Sequence, residues 1–215
     1  LFAADAGMTA ADFTPIVTTA GFQMGVVALT SKGWSSFDDV VAAAKAGEEM
    51  RFGTMSPRLA DLAYLLGKAQ GVEFNIISVR GGKAVMDGVN AGDMDLGFMA
   101  GIQAKGVAAG DLVNLASALS TPLVQTPDAP TFADLGMTYD SDGYFMFAGP
   151  GGMDPAARDA MATAIAEIVS DEGTKAGGLI KKAFGGPSII QGADLDALVQ
   201  KGFDESEALI NAASE

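Results

Sequence analysis

Residues 25–99 alternate between short β-branched runs and amphipathic stretches, joined by connections of only a few residues. No other feature constrains the chain as strongly. Gly25-Val-Val-Ala-Leu-Thr30, Met50-Arg-Phe-Gly53, Phe74-Asn-Ile-Ile77 and Asp95-Leu-Gly-Phe-Met99 read as strands. Between them, Ser35 to Gly47, Leu59 to Gln70 and Gly82 to Ala91 read as helices. The first helix has Ser35 or Ser36 as its cap, Asp38 and Asp39 in its positive first turn, and Gly47 to end it. Leu62, Leu65, Leu66 and Ala69 form one stripe of the second helix, and Val85, Met86 and Val89 one face of the third. Strands and helices in this order predict a parallel sheet with helices on its faces.

The flanks read differently. Asp12 to Thr19 is a further strand, and residues 111–120 repeat the strand theme. Pro122, Pro127 and Pro130 then mark an extended crossing segment. Beyond Tyr144-Phe-Met-Phe-Ala-Gly-Pro150, Asp154-Pro155 supplies an N-cap followed by Pro at the first helical position. That helix carries Met161, Ile165 and Ile168 on one face. A second helix is expected from about Thr174 to Phe184, and a third from Asp194 to Ala212 with Leu195, Leu198, Val199, Phe203 and Ile210 at helical spacing. The tail has one strand of its own, Phe145 to Ala148, and so lacks a sheet to pack on. The expectation is that part of a lobe is missing, the chain being either a fragment or an unusually short member of its kind, and Leu1 in place of an initiator Met implies removal of something ahead of it. No signal-peptide pattern opens the chain, and no run approaches the roughly 18 apolar residues that span a membrane.

Composition narrows the chemistry. The chain has 13 basic and 27 acidic residues, a net charge of −14, so phosphate backbones repel it and nucleic acid is not an expected partner. It has no His and no Cys, which removes triads, thiol nucleophiles, imidazole proton shuttles and His/Cys zinc sites. Carboxylates, hydroxyls, Lys, Arg and backbone dipoles remain.

Two strand-to-helix turns are candidate binding sites. In Gly53-Thr-Met-Ser-Pro-Arg58, a helix N-terminus offers N–H groups and partial positive charge, and Thr54 and Ser56 add hydroxyls. The bland reading is an ordinary helix cap at Ser56. In Ser78-Val-Arg-Gly-Gly-Lys83, Gly81 and Gly82 let backbone approach a ligand, and Arg80 and Lys83 carry charge. The bland reading is a tight turn with solvated cations. Consecutive turns of this kind at the carboxyl ends of strands suit a carboxylate or phosphate. Asp93-Met-Asp95 and Asp140-Ser-Asp-Gly143 resemble fragments of calcium loops but do not continue into the full pattern, so turn chemistry is expected and no metal. No motif calls for a cofactor.

These segments, in order, resemble the solute receptors of the tripartite tricarboxylate transporter system, the TctC or Bug family of periplasmic binding proteins. Asp12-Phe-Thr-Pro-Ile16, Ser35 to Lys45 and Arg51-Phe-Gly-Thr-Met-Ser56 follow family segments. Arg80-Gly81-Gly82 through Asp95 matches without a gap, as does Asp128-Ala-Pro-Thr-Phe-Ala-Asp-Leu-Gly136. Tyr144 to Pro150 and Asp154-Pro155 follow the family's later pattern. Three features depart from it. The family's N-terminal portion, with its glycine-rich ligand loop, has no counterpart. Ser78-Val79-Arg80 replaces Pro-Tyr-Lys, and Met55 and Pro57 replace small residues.

The resemblance implies a two-lobed α/β fold of the type II periplasmic-binding-protein kind, with parallel-rich sheets flanked by helices and the first lobe incomplete. Residues 1–24 would cross from the first lobe, 25–125 form the second, 126–147 cross back, and 148–215 be the helical C-terminal part of the first. It implies a monomeric periplasmic receptor that binds a small organic acid without catalysis and delivers it to permease subunits in the membrane. Thr54, Met55 and Ser56 would hold one carboxylate, and Gly81 and Gly82 another, with Arg80 or Lys83 nearby. Met99, Ala100, Gly101, Phe22 and Tyr144 would line the cleft. A ligand-sensing module for a signalling partner is the alternative, and a carboxylate-dependent enzyme a weaker one.

Overall fold

The computed structural model describes residues 7–214. After a first strand, β1 (Phe13–Gly21), the alternating segment contributes β2 (Met24–Leu29), β3 (Arg51–Thr54), β4 (Asn75–Ser78) and β5 (Leu96–Ala100). With β6 (Leu112–Ser117) the last four form a five-stranded sheet in the order β4-β3-β5-β2-β6. β3 is parallel to both β4 and β5. β2 departs from the expected parallel order, running antiparallel to β5 on one side and to β6 on the other. The crossover from β5 to β6 leaves a gap one strand wide, and β2, arriving earlier in the chain, fills it in the opposite direction. Such insertion depends on pairing partners far apart in sequence, which local periodicity does not encode.

The two faces of this sheet are built from alternate residues. On one, Phe52 and Phe98 are fully buried, 4.8 Å apart between ring centroids, in a chain of ring contacts with Phe37, Phe74 and Phe132. On the other, the paired Gly53 and Gly97 leave a hollow for Val85 of α3 (Gly82–Ala91). A Cβ built on Gly97 would lie 2.5 Å from Val85 Cγ1, so only glycine lets α3 come this close. α1 (Phe37–Lys45) opens with Ser36 and Asp39 in a capping box, and the Ser35 and Ser36 N–H groups hold the Asp39 carboxyl below its usual range. α2 (Pro57–Gln70) buries Leu59, Leu62, Ala63 and Leu66, whereas Ala69 of the expected stripe is exposed.

By internal packing the chain divides into two units, residues 23–142 with 209–215, and residues 1–22 with 143–208. Residues 118–142 contain no regular element, yet Leu123 and Phe132 are fully buried and Ser117 N–H donates to the Pro130 carbonyl at 2.7 Å. This part of the expected crossing segment therefore packs within the sheet's own unit. In the other unit β1 pairs antiparallel with β7 (Tyr144–Pro150), so the tail does have a sheet, of two strands. α5 (Pro155–Ser170), α6 (Lys175–Phe184) and the long α7 (Gly192–Ser214) follow, with α4 (Ala104–Ala109) belonging to the larger sheet. α5 packs through Ala162, Ile165 and Val169, and leaves Met161 and Ile168 exposed, against the expected face. Small Ala162 sits against Ile16 and Val17 of β1, which sets which stripe faces inward.

At the edge where β3 and β5 begin, Asp95 is buried and accepts four hydrogen bonds: Arg51 N–H (3.0 Å), Arg51 Nε (2.9 Å), Arg51 Nη2 (3.0 Å) and Lys32 Nζ (2.5 Å). It is thus a clamp across two strand starts rather than part of a metal loop. Asp140 and Asp142 serve turns, accepting from Asp142 N–H and from Ser120 respectively.

Candidate functional site

The parallel arrangement of β3, β4 and β5 brings their carboxyl ends to one edge, and with them most of the sequence-predicted residues. Thr54 ends β3 directly opposite Ser78 at the end of β4. The two hydroxyl oxygens are 3.2 Å apart; Thr54 is fully buried and Ser78 exposed. Thr54 thus orients the Ser78 hydroxyl, which is the more accessible of the pair.

Ser56 caps α2, its Oγ accepting from Leu59 N–H at 3.3 Å. Pro57 has no N–H to offer, so α2 presents fewer donors than an ordinary helix start. The start of α3 is different. Its N-cap is Gly81, which has no side chain to satisfy the first turn, and the N–H groups of Gly82 and Lys83 have no acceptor among the described residues. Gly81 itself adopts φ 81° and ψ 156°, a conformation open essentially to glycine alone. An exposed helix start with free N–H groups is a cradle that can accept an anion.

Charge around the cradle is uneven. Lys83 pairs with Asp87 one turn on, 2.6 Å away. Arg80 is exposed and has no ion pair or hydrogen bond among the described residues. Arg80 is therefore the cation available to an incoming anion.

The turn after β5 completes the edge. Met99 packs its side chain in the core with Val27, Val85, Val89 and Leu112, so only its backbone belongs to the edge. Ala100 is half-buried and Gly101 takes φ 101°. Next to them is Ile102, 42% exposed and absent from the sequence-predicted set. A methyl built on Gly82 would lie 3.5 Å from Met55 Sδ and 3.9 Å from Ile102 Cγ2. Three turns therefore converge, with the Met55 and Ile102 side chains flanking the open start of α3. Ser78 was recoverable in principle, because strand register places it opposite Thr54; Ile102 carries no sequence signal.

Phe22 and Tyr144 lie in the other unit, at the adjoining ends of β1 and β7. Phe22 N–H donates to the Gly143 carbonyl at 2.9 Å, and its ring stacks edge-on against Phe145 at 4.8 Å. Tyr144 lies over Gly21, its partner in the strand pair. At the sheet edge where β4 begins, an open depression of about 680 Å³ is lined by residues including Lys45, Tyr64, Lys68 and Phe74. None of the sequence-predicted residues contributes to it.

No protein-family model and no curated protein sequence matches the chain. Solved structures do. BugD, a periplasmic binding protein, superposes with a TM-score of 0.79 at 16% identity, over 94% of this chain and 69% of its own. A TctC solute-binding protein from Polaromonas gives 0.70 at 19% identity, over 95% and 71%. The fold is that of the TctC and Bug solute-binding proteins. A third structure of this kind, an R. palustris protein solved with adipate, gives 0.76 at 18% identity, over 98% and 72%. In each case the chain is nearly all used, while close to a third of the matched structure has no counterpart in it. Among the described residues, no helix is long and apolar enough to cross a membrane.

Proposed function

We propose that this chain is an extracytoplasmic receptor for a small organic acid, a di- or tricarboxylate or a related carboxylate. The observation that carries the reading is the open start of α3. There the N–H groups of Gly82 and Lys83 and the side chain of Arg80, none with a partner among the described residues, lie in the turn that follows Ser78, at the carboxyl edge of three parallel strands. One carboxylate of the ligand accepts from these donors, Ser56 and Met55 form the neighbouring wall, and Thr54, buried behind it, orients the Ser78 hydroxyl. The turn at Met99, Ala100 and Gly101 bounds the site on the far side. Binding takes place without bond making. The adipate-bound structure of the same fold supports a carboxylate as ligand class. The loaded receptor hands its acid to the permease subunits of a tripartite-type membrane transporter, in the periplasm.

The test is a thermal-shift screen against succinate, malate, citrate, glutamate and adipate, with wild type and Gly82→Val side by side. A ligand that binds only the folded protein adds about 2.7 kcal/mol at one hundred times its Kd. The expected result is a dose-dependent rise in Tm with at least one acid, lost in Gly82→Val, whose side chain covers the cradle. A rise that survives unchanged in the variant places binding elsewhere.

A further inference from the structure

Behind the proposed ligand edge lies a side chain that no motif singles out. Gln103 is fully buried, in the turn between β5 and α4. Both ends of its amide are used. Oε1 accepts from Gly101 N–H at 2.8 Å, and Nε2 donates to the Gln23 carbonyl at 3.0 Å. Gln23, itself 8% exposed, accepts from Val124 N–H through its own Oε1 at 2.8 Å. Two buried amides thus join three backbone segments: the turn after β5, the entry to β2, and the loop at residues 123–126. Buried amide networks of this kind are costly when half-satisfied and rigid when complete.

What the amide holds is specific. Gly101 is left-handed at φ 101°, and its N–H is tied inward to Gln103. This leaves Ile102, between the two tied residues, as the one that projects outward, toward Gly82 and the open start of α3. A freely turning Gly101 has many other conformations and would let Ile102 drift from that place.

We propose that Gln103 is a positioning residue for ligand binding: its amide fixes the Gly101–Ile102 turn against the Gly82 cradle, so that the cradle has a wall before the acid arrives. The inference rests on the receptor reading above. Preorganisation of this sort raises affinity by removing the ordering cost from the binding step.

The experiment uses titration calorimetry with the acid that gives the largest thermal shift, at pH 9.5 and pH 5.5, on wild type, Gln103→Met and Gln103→Glu. Gln103→Met keeps the volume and loses both hydrogen bonds; the expected result is a folded protein whose Kd is weaker by tenfold or more. Gln103→Glu titrates the contact. As a carboxylate, Glu accepts from Gly101 N–H but faces the Gln23 carbonyl with a second acceptor. As a neutral acid its O–H donates to that carbonyl and the pattern is restored. Burial raises the pKa of such a carboxyl, so its Kd, taken as a ratio to wild type at the same pH, is expected to be weak at pH 9.5 and to approach wild type at pH 5.5. A residue that only stabilises the fold would change Tm in both variants and leave the Kd of the folded protein alone, so Kd values within twofold of wild type at both pH values overturn the inference. If Gln103→Met does not fold, the pH-dependent ratio in Gln103→Glu decides. Wild type that folds and binds none of the acids defeats the receptor reading itself, and the role of Gln103 with it.

Discussion

Asp95 is the most exacting point at which to test the physical account of this fold, and Asp95→Asn is the perturbation. The native carboxylate is 7% exposed on its side chain and takes hydrogen bonds from both arms of the Arg51 guanidinium, from the Arg51 backbone and from Lys32. Burial alone pushes its pKa up; the hydrogen bonds from Arg51 and Lys32 more than reverse that, to about 2 from 3.8. A shift of that size corresponds to about 2.5 kcal/mol of stability at neutral pH. Asn keeps the shape, but turns an N–H₂ toward donors and leaves two cations without a counter-charge. Arg51 and Lys32 are 36% and 34% exposed on their side chains, so water can take back part of their solvation. The net expectation is a loss of about 2 kcal/mol at pH 7. The sign with pH follows from the depressed pKa. The unfolded chain binds the proton first as pH falls, so the contribution is complete above about pH 4, roughly half gone near pH 3, and lost on passing through about 2. Urea unfolding of wild type and variant at pH 7, 4 and 3 reads this directly, since the other carboxylates titrate alike in both proteins. A gap of the same size at pH 7 and pH 3 would mean that the variant disturbs packing, not charge. No gap at pH 7 would remove the clamp from the account altogether.

Two further substitutions probe the hollow beneath α3 and the charge at its start. Gly97→Ala places a methyl 2.5 Å from Val85 Cγ1 and 2.9 Å from the Gly53 carbonyl oxygen, and is expected to cost about 1–3 kcal/mol in urea unfolding; a variant as stable as wild type would mean that α3 can move away from the sheet freely. Arg80→Ala removes an exposed cation that has no partner among the described residues, so stability should stay within about 0.5 kcal/mol, while the Kd for the acid weakens severalfold at low salt and less at high salt. Unchanged affinity at low salt would exclude Arg80 from the site.

What could be read from the sequence, and what could not, divides along the range of the interaction. Helix starts were legible because a cap acts within three residues: Ser36 with Asp39, Ser56 with Leu59, and Asp154 with Ala157 all close locally. The strands were legible as elements, since each is a short β-branched or apolar run between turn residues. Their directions were not, because β2 is oriented by β5 and β6, which lie some 70 and 90 residues away in the pairings Gly25–Met99 and Gly25–Ser117. The site divides in the same way. Gly81 and Gly82 announce themselves as consecutive glycines ahead of a helix. Ser78 enters only through its register with Thr54, Ile102 only through its approach to Gly82, and Gln103 only through a carbonyl 80 residues earlier. The role of Asp95 was out of reach for the same reason. Beside Asp93 it reads as turn chemistry, and it becomes a clamp only when the parallel pairing of β3 and β5 sets Arg51 next to it. The residues of the proposed anion-binding turn are thus local in sequence, while those that hold it in place are drawn from wherever the sheet order brings them.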